Sequence, residues 1–160
     1  MDAKRGRFIR MTAPQTRQRM ALFAFLIIKT LQIQISIIKS QDKDLGDWSA
    51  CLLSALVGIL MRNLIDNAVR YSPSGGVVRV AVAETAGGAE FSVVDQGPGI
   101  APEQRALVWE RFYRVLGSGE AGSGLGLSIV KRIADLHGAK ATLGEGDGGK
   151  GARVSIVFPG

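Results

Sequence analysis

Apolar and polar residues alternate over Leu31–Ile37, LQIQISI, with the apolar set at 31, 33, 35 and 37. A period of two predicts a strand with one face buried, the candidate first strand of a domain. Gln41–Asp47 is polar, contains Gly46, and reads as a loop. Leu52–Tyr71 is too long for a strand, and its apolar positions fit a largely buried helix. The sequence YSPSGG over 71–76 stops that helix, because proline and paired glycines do not continue it. Val77–Ala83 and Ala89–Asp95 read as two strands joined by the turn Ala86–Gly88, a hairpin. Pro102–Glu110 reads as a short helix, and Val115–Gly124, rich in glycine and serine, as a mobile loop. Leu125–Leu136 is apolar at 125, 127, 129, 130, 133 and 136, a helix closed by His137-Gly138. Lys140–Leu143 and Arg153–Phe158 flank a glycine-rich turn and predict a closing hairpin. The order predicts an α/β two-layer sandwich, with helices on one face of a mixed, mainly antiparallel sheet.

Composition narrows this. A chain of 160 residues, 46% hydrophobic and 21% charged, suits one globular domain with a real core. All but three of the 21 glycines, Gly6, Gly46 and Gly58, lie from Gly75 onward, so turns crowd the second half. Cys51 is the lone cysteine and reads as a small buried hydrophobe in a reducing compartment. The net charge of +6 is uneven: residues 1–43 carry nine Lys/Arg against two acids, and the remainder is close to neutral. The basic leader fits a solvated flexible end better than a nucleic-acid or lipid contact, and no nucleic-acid partner is expected. Met20–Ile28 is the longest wholly apolar run, nine residues, well short of the roughly 20 that a span needs. Residues 1–30 are therefore read as a leader of unknown role, a possible self-pairing surface for a homodimer, and 31–160 as the domain.

The long helix carries an unusual stripe. Asn63, Asn67, Arg70 and Tyr71 recur at helical spacing on one side of an otherwise apolar helix. Amide oxygens are hard, neutral ligands that suit a Mg²⁺ already carried by phosphates. A guanidinium suits a phosphate, and a phenol can lie against a base; a plain solvent face explains the stripe equally well. Asp95, at a strand end in DQGPGI, can accept from an amino group, while Gly97 and Gly99 let backbone approach a flat ligand. GSGLGLSIV opens a helix, and backbone N–H groups there form an anion site. Each signal alone is weak; their order is specific.

Together, RNLIDNAVRYSP, DQGPGI, ERFYR and GSGLGLSIVKRIADLHGA resemble the N, G1, F and G2 boxes of the catalytic ATP-binding domain of two-component sensor histidine kinases, strongest over 52–160. The resemblance implies a Bergerat fold with ATP and Mg²⁺ bound beneath a flexible lid. It implies that Asn67 coordinates Mg²⁺ with Asn63 in support, Arg70 approaches the phosphates and Tyr71 packs near adenine. Asp95 would accept from the adenine amino group, with Gly97, Gly99 and Ile100 as its surroundings. Phe112 would anchor the lid, Arg114 would reach the γ-phosphate, and Gly122, Gly124, Leu125 and Gly126 would cover the phosphates. ATP-hydrolysing relatives carry a glutamate where Asn63 stands; an amide cannot act as base, which favours transfer over hydrolysis.

The implied partners are a histidine-bearing dimerisation domain and, through it, a response regulator. No phosphoacceptor motif occurs in this sequence, and its single histidine, His137, reads as structural. The chain is thus expected not to phosphorylate itself, and to work in the cytoplasm, linked to a membrane only through other parts of a longer sensor. A serine kinase of the anti-sigma type and a non-catalytic nucleotide-binding module are the alternatives.

Overall fold

The computed structural model describes residues 7–12, 47–115 and 123–160. Strand β1 (Arg7–Thr12) is followed by helix α1 (Asp47–Tyr71), the hairpin β2 (Val77–Thr85) and β3 (Gly88–Val94), helix α2 (Gly126–Leu136), and the hairpin β4 (Lys140–Glu145) and β5 (Ala152–Phe158). The strands form one five-stranded sheet in the order β1-β2-β3-β5-β4. All four described ladders are antiparallel.

The register explains which face is buried. Val82, Phe91, Ile156 and Ala141 stand in one row across four strands, and Val80, Val93 and Val154 in the next. Because strand side chains alternate, these rows share a face. Leu60, Met61 and Leu64 of α1 and Val130, Ile133 and Ala134 of α2 pack onto it in a single core. Phe91, Leu60 and Ile156 are almost wholly removed from water; side chains of this kind each contribute roughly 1.5–3 kcal/mol. The two-layer sandwich expected from the sequence is what forms. On the other face Asp147 pairs with both Arg79 and Arg153.

Two elements differ from the sequence reading. The strand on the outer edge of β2 is Arg7–Thr12, inside the stretch read as a flexible leader, whereas Leu31–Ile37 lies outside the described residues. The register sets Ile9 opposite Val80 and Met11 opposite Val78. Arg10, opposite Arg79, made the segment read as charged tail, since its alternation is short. Pro102–Glu110 is not one helix but two 3₁₀ turns, Pro102–Gln104 and Leu107–Trp109. They bury only Val108, too small an apolar face to hold a longer helix.

Candidate functional site

β3 ends at Val94 because the chain turns at Asp95, and that turn is fixed from three directions. The Asp95 amide donates to Ala152 O at 3.0 Å. Its carboxylate Oδ1 accepts from Ala152 N at 3.0 Å and from Gly97 N at 2.8 Å. Among the described residues nothing donates to Oδ2, which leaves one oriented acceptor lone. Burial pushes the Asp95 carboxyl above its ordinary value, and the two backbone N–H groups partly offset this.

The glycines around Asp95 answer to close contacts. A β-carbon on Gly97 would lie 2.5 Å from Tyr71 O, so only glycine lets this loop rest on the end of α1. Gly99, with φ +76°, faces Gly151 O at 3.0 Å from a would-be β-carbon. Gly151 is the tightest: φ is +73° and a β-carbon would stand 2.0 Å from Asp95 O. Ile100 follows, half-buried.

The same helix, α1, also meets α2. Asn63 Nδ2 donates to Ile59 O at 2.8 Å, four residues back on its own helix, which leaves Oδ1 as the outward atom. Gly126, the first residue of α2, packs against both amides: a β-carbon there would lie 3.1 Å from Asn67 Nδ2, 3.3 Å from Asn67 Oδ1 and 3.5 Å from Asn63 Oδ1. Both asparagines are half-buried. Leu125 caps α2, and its carbonyl accepts from Ser128 Oγ at 2.9 Å and from Ile129 N at 3.0 Å. Arg70 and Tyr71 line a cleft of about 310 Å³ with Gln96 and Gly97. The C-terminal part of α1 therefore touches both the Asp95 loop and the start of α2.

Phe112 and Gly124 also come together. Phe112 N donates to Gly124 O at 2.9 Å, and a β-carbon on Gly124 would lie 2.7 Å from the Phe112 carbonyl carbon. Phe112 has φ +65°, unusual for a bulky residue, and the residue is 71% exposed. It is joined to the glycine loop through its backbone rather than by a buried ring. Arg114 follows, exposed. Gly122 and the mobility expected between Val115 and Gly124 lie outside the described residues.

His137 sits at the far end of α2. Its Nδ1 is 2.8 Å from Ile133 O and its Nε2 is 3.2 Å from Leu53 O, across the seam with α1. Its ring meets Phe158 edge-on at 6.0 Å. Sequence reasoning missed Gly151, Ala152 and Arg105; the glycine cluster of Gly146–Gly151 was their only local trace.

With this geometry in view, residues 54–160 match the family described as "Histidine kinase-, DNA gyrase B-, and HSP90-like ATPase". The chain is 54% identical over 101 residues to the sensor protein QseC of Escherichia coli K12, covering 62% of this chain and 22% of that one. The fold is similar to a mycobacterial sensor histidine kinase MprB structure, with TM-score 0.64, 29% identity, and coverage of 96% and 98% of the two chains. It is also similar to the ATP-binding domain of PrrB from Mycobacterium tuberculosis, with TM-score 0.53, 30% identity, and coverage of 67% and 69%. The chain thus spans under a quarter of the QseC length.

Proposed function

The chain belongs to the histidine kinase-, DNA gyrase B- and HSP90-like ATPase family and is an ATP-binding catalytic domain of the sensor histidine kinase type, and we propose that it binds Mg-ATP and donates the γ-phosphoryl group to a histidine on a separate dimerisation hairpin. One observation carries this reading: Asp95 Oδ2, which takes no donor from the described residues, and an amide pair, Asn63 and Asn67, both stand where neighbouring elements meet the C-terminal part of α1. That pairing of groups suits a ligand with an amino-bearing ring at one end and phosphates at the other.

In this reading Asp95 accepts from the adenine amino group, with Gly97, Gly99 and Ile100 around the ring and Tyr71 packing beside it. Arg70, Arg114 and the backbone of Gly124, Leu125 and Gly126 serve the phosphates, as does Gly122, and Phe112 ties down the lid. Asn67, backed by Asn63, would hold Mg²⁺, because neutral amide oxygens suit a hard cation whose other ligands are phosphate oxygens. That ion, when bound, neutralises phosphate charge. Asn63 cannot activate water, so the chain's own contribution to transfer is positioning and charge neutralisation.

The acceptor is another polypeptide. The sequence's one histidine, His137, stands at the far end of α2, half-buried, with its ring nitrogens facing the Ile133 and Leu53 carbonyls, which suits a structural role rather than that of acceptor. Leu107 and Phe112, exposed and apolar, suit the surface that meets the hairpin. Among the described residues no helix is long and apolar enough to cross a membrane; we place the domain on the cytoplasmic side, upstream of a response regulator.

The test is transfer in trans. The chain is incubated with γ-labelled ATP, Mg²⁺ and a separately purified histidine hairpin of the QseC type. Acid-labile label on the hairpin histidine, and none on the chain, is the expected result. Acid-stable phosphoserine would point to the serine-kinase alternative, and ATP binding with no label anywhere to a non-catalytic module.

A further inference from the structure

The loop from Asp95 to Ile100 contains Gly97 and Gly99 and has little stiffness of its own. Its first residue is held by β5, through the two Asp95–Ala152 bonds. Its last residue is held by a side chain that no motif includes. Arg105 Nε donates to Ile100 O at 3.1 Å, and Arg105 Nη2 donates to Glu145 Oε1 at 3.2 Å. Glu145 ends β4, and the next residue, Gly146, donates its N–H to Gly151 O at 3.0 Å. Gly151 is the residue in contact with Asp95 and Gly99. The turn between β4 and β5 therefore grips the loop at both ends: directly at Asp95, and through the Arg105 guanidinium at Ile100.

We propose that Arg105, anchored by Glu145, is a positioning residue that sets the selectivity of the site for the adenine ring. It acts through Ile100 and does not touch phosphate. This rests on the reading that the Asp95 loop receives the base. The geometry requires arginine: one N–H serves a carbonyl while another, at a fixed angle, serves a carboxylate. A lysine ammonium is a point donor and does not reproduce that fork. The Arg105 side chain is 26% exposed, against 63% for Glu145, so the carbonyl bond is the sheltered one. An exposed ion pair alone contributes little; its part here is to keep the guanidinium aimed.

The experiment measures Kd for Mg-ATP and for Mg-ITP, whose ring has an oxygen in place of the amino group, on the full chain and on three variants. Arg105→Ala is expected to weaken ATP about 5-fold while leaving ITP nearly unchanged, because one hydrogen bond aiming the loop is lost. The ATP/ITP ratio therefore falls. Arg105→Lys recovers only part of it, and Glu145→Gln, which leaves Arg105 in place, gives a smaller fall in the same direction. Wild-type selectivity in Arg105→Ala, or an equal loss for both nucleotides, overturns the proposal. If the wild-type chain itself does not prefer ATP, the base reading of the Asp95 loop fails first and takes this proposal with it.

Discussion

Next to the α1 C-terminus, Asp95 is fixed by three backbone hydrogen bonds and by glycines with no room for a side chain. Further back on α1, Asn63 has one bond to its own helix, and Asn67 packs against Gly126. The Asp95 region is built like a mould for a rigid object. In the proposed function, the amide pair takes partners that arrive with the ligand. A planar ring needs preformed walls, since its recognition depends on one acceptor at one angle. A phosphate chain with its cation is charged and adjustable, and it can draw its ligands into place. The contrast between a preformed half and a ligand-completed half is the point at which to press with mutations.

The largest effect belongs to the preformed half. Gly151→Ala forces a β-carbon against the Asp95 carbonyl in a left-handed backbone, and a cost of at least about 3 kcal/mol is expected in a denaturant melt. Next is Asp95→Asn. Oδ1 keeps its two donors, but an amide nitrogen replaces the Oδ2 acceptor and opposes the adenine amino group. ATP affinity should fall about 100-fold by calorimetry, while the unliganded chain at neutral pH is as stable as wild type or more so, since a partly desolvated charge is gone.

The same carboxyl gives a pH test. Its folded value is raised, so its contribution to stability is fully present below the ordinary aspartate value and is lost as pH rises through the raised one. Binding runs the other way. Protonation falls on the unengaged Oδ2, so ATP affinity drops as pH falls through that raised value, and Asp95→Asn shows no such drop.

A smaller effect is expected in the ligand-completed half. Asn67→Ala should weaken Mg-ATP about 10-fold yet leave adenosine binding intact, and equal losses for both would erase the distinction between the two halves. The smallest is Gly148→Ala, in the same turn as Gly151 but with open space around it and φ +66°. It should cost about 1 kcal/mol of stability and nothing in nucleotide affinity.

What the sequence made legible was local. Asn63 and Asn67 declare themselves by helical spacing, and Asp95 by a strand end followed by glycines. The core strands β2, β3 and β5 show their alternation directly. What stayed hidden depends on segments distant along the chain: Ala152 reaches Asp95 across 57 positions and Arg105 reaches Glu145 across 40. β1 was masked for another reason. Its arginines read as a soluble tail until a partner strand, Val77–Val82, gives them a register. Phe112 was expected to anchor the lid; that its backbone bonds to Gly124 is visible only in the fold.

The central claim is that the base half is preformed and the phosphate half is completed by its ligand. A crystal structure of the full chain with Mg²⁺ and a non-hydrolysable ATP analogue tests it most directly. The expected result places the adenine amino group on Asp95 Oδ2 with the Asp95, Gly97 and Ala152 bonds unchanged, while Asn67 and Gly124 shift to meet the phosphates. An Asp95 loop that rebuilds around the ring, or an adenine seated away from Asp95, would contradict it.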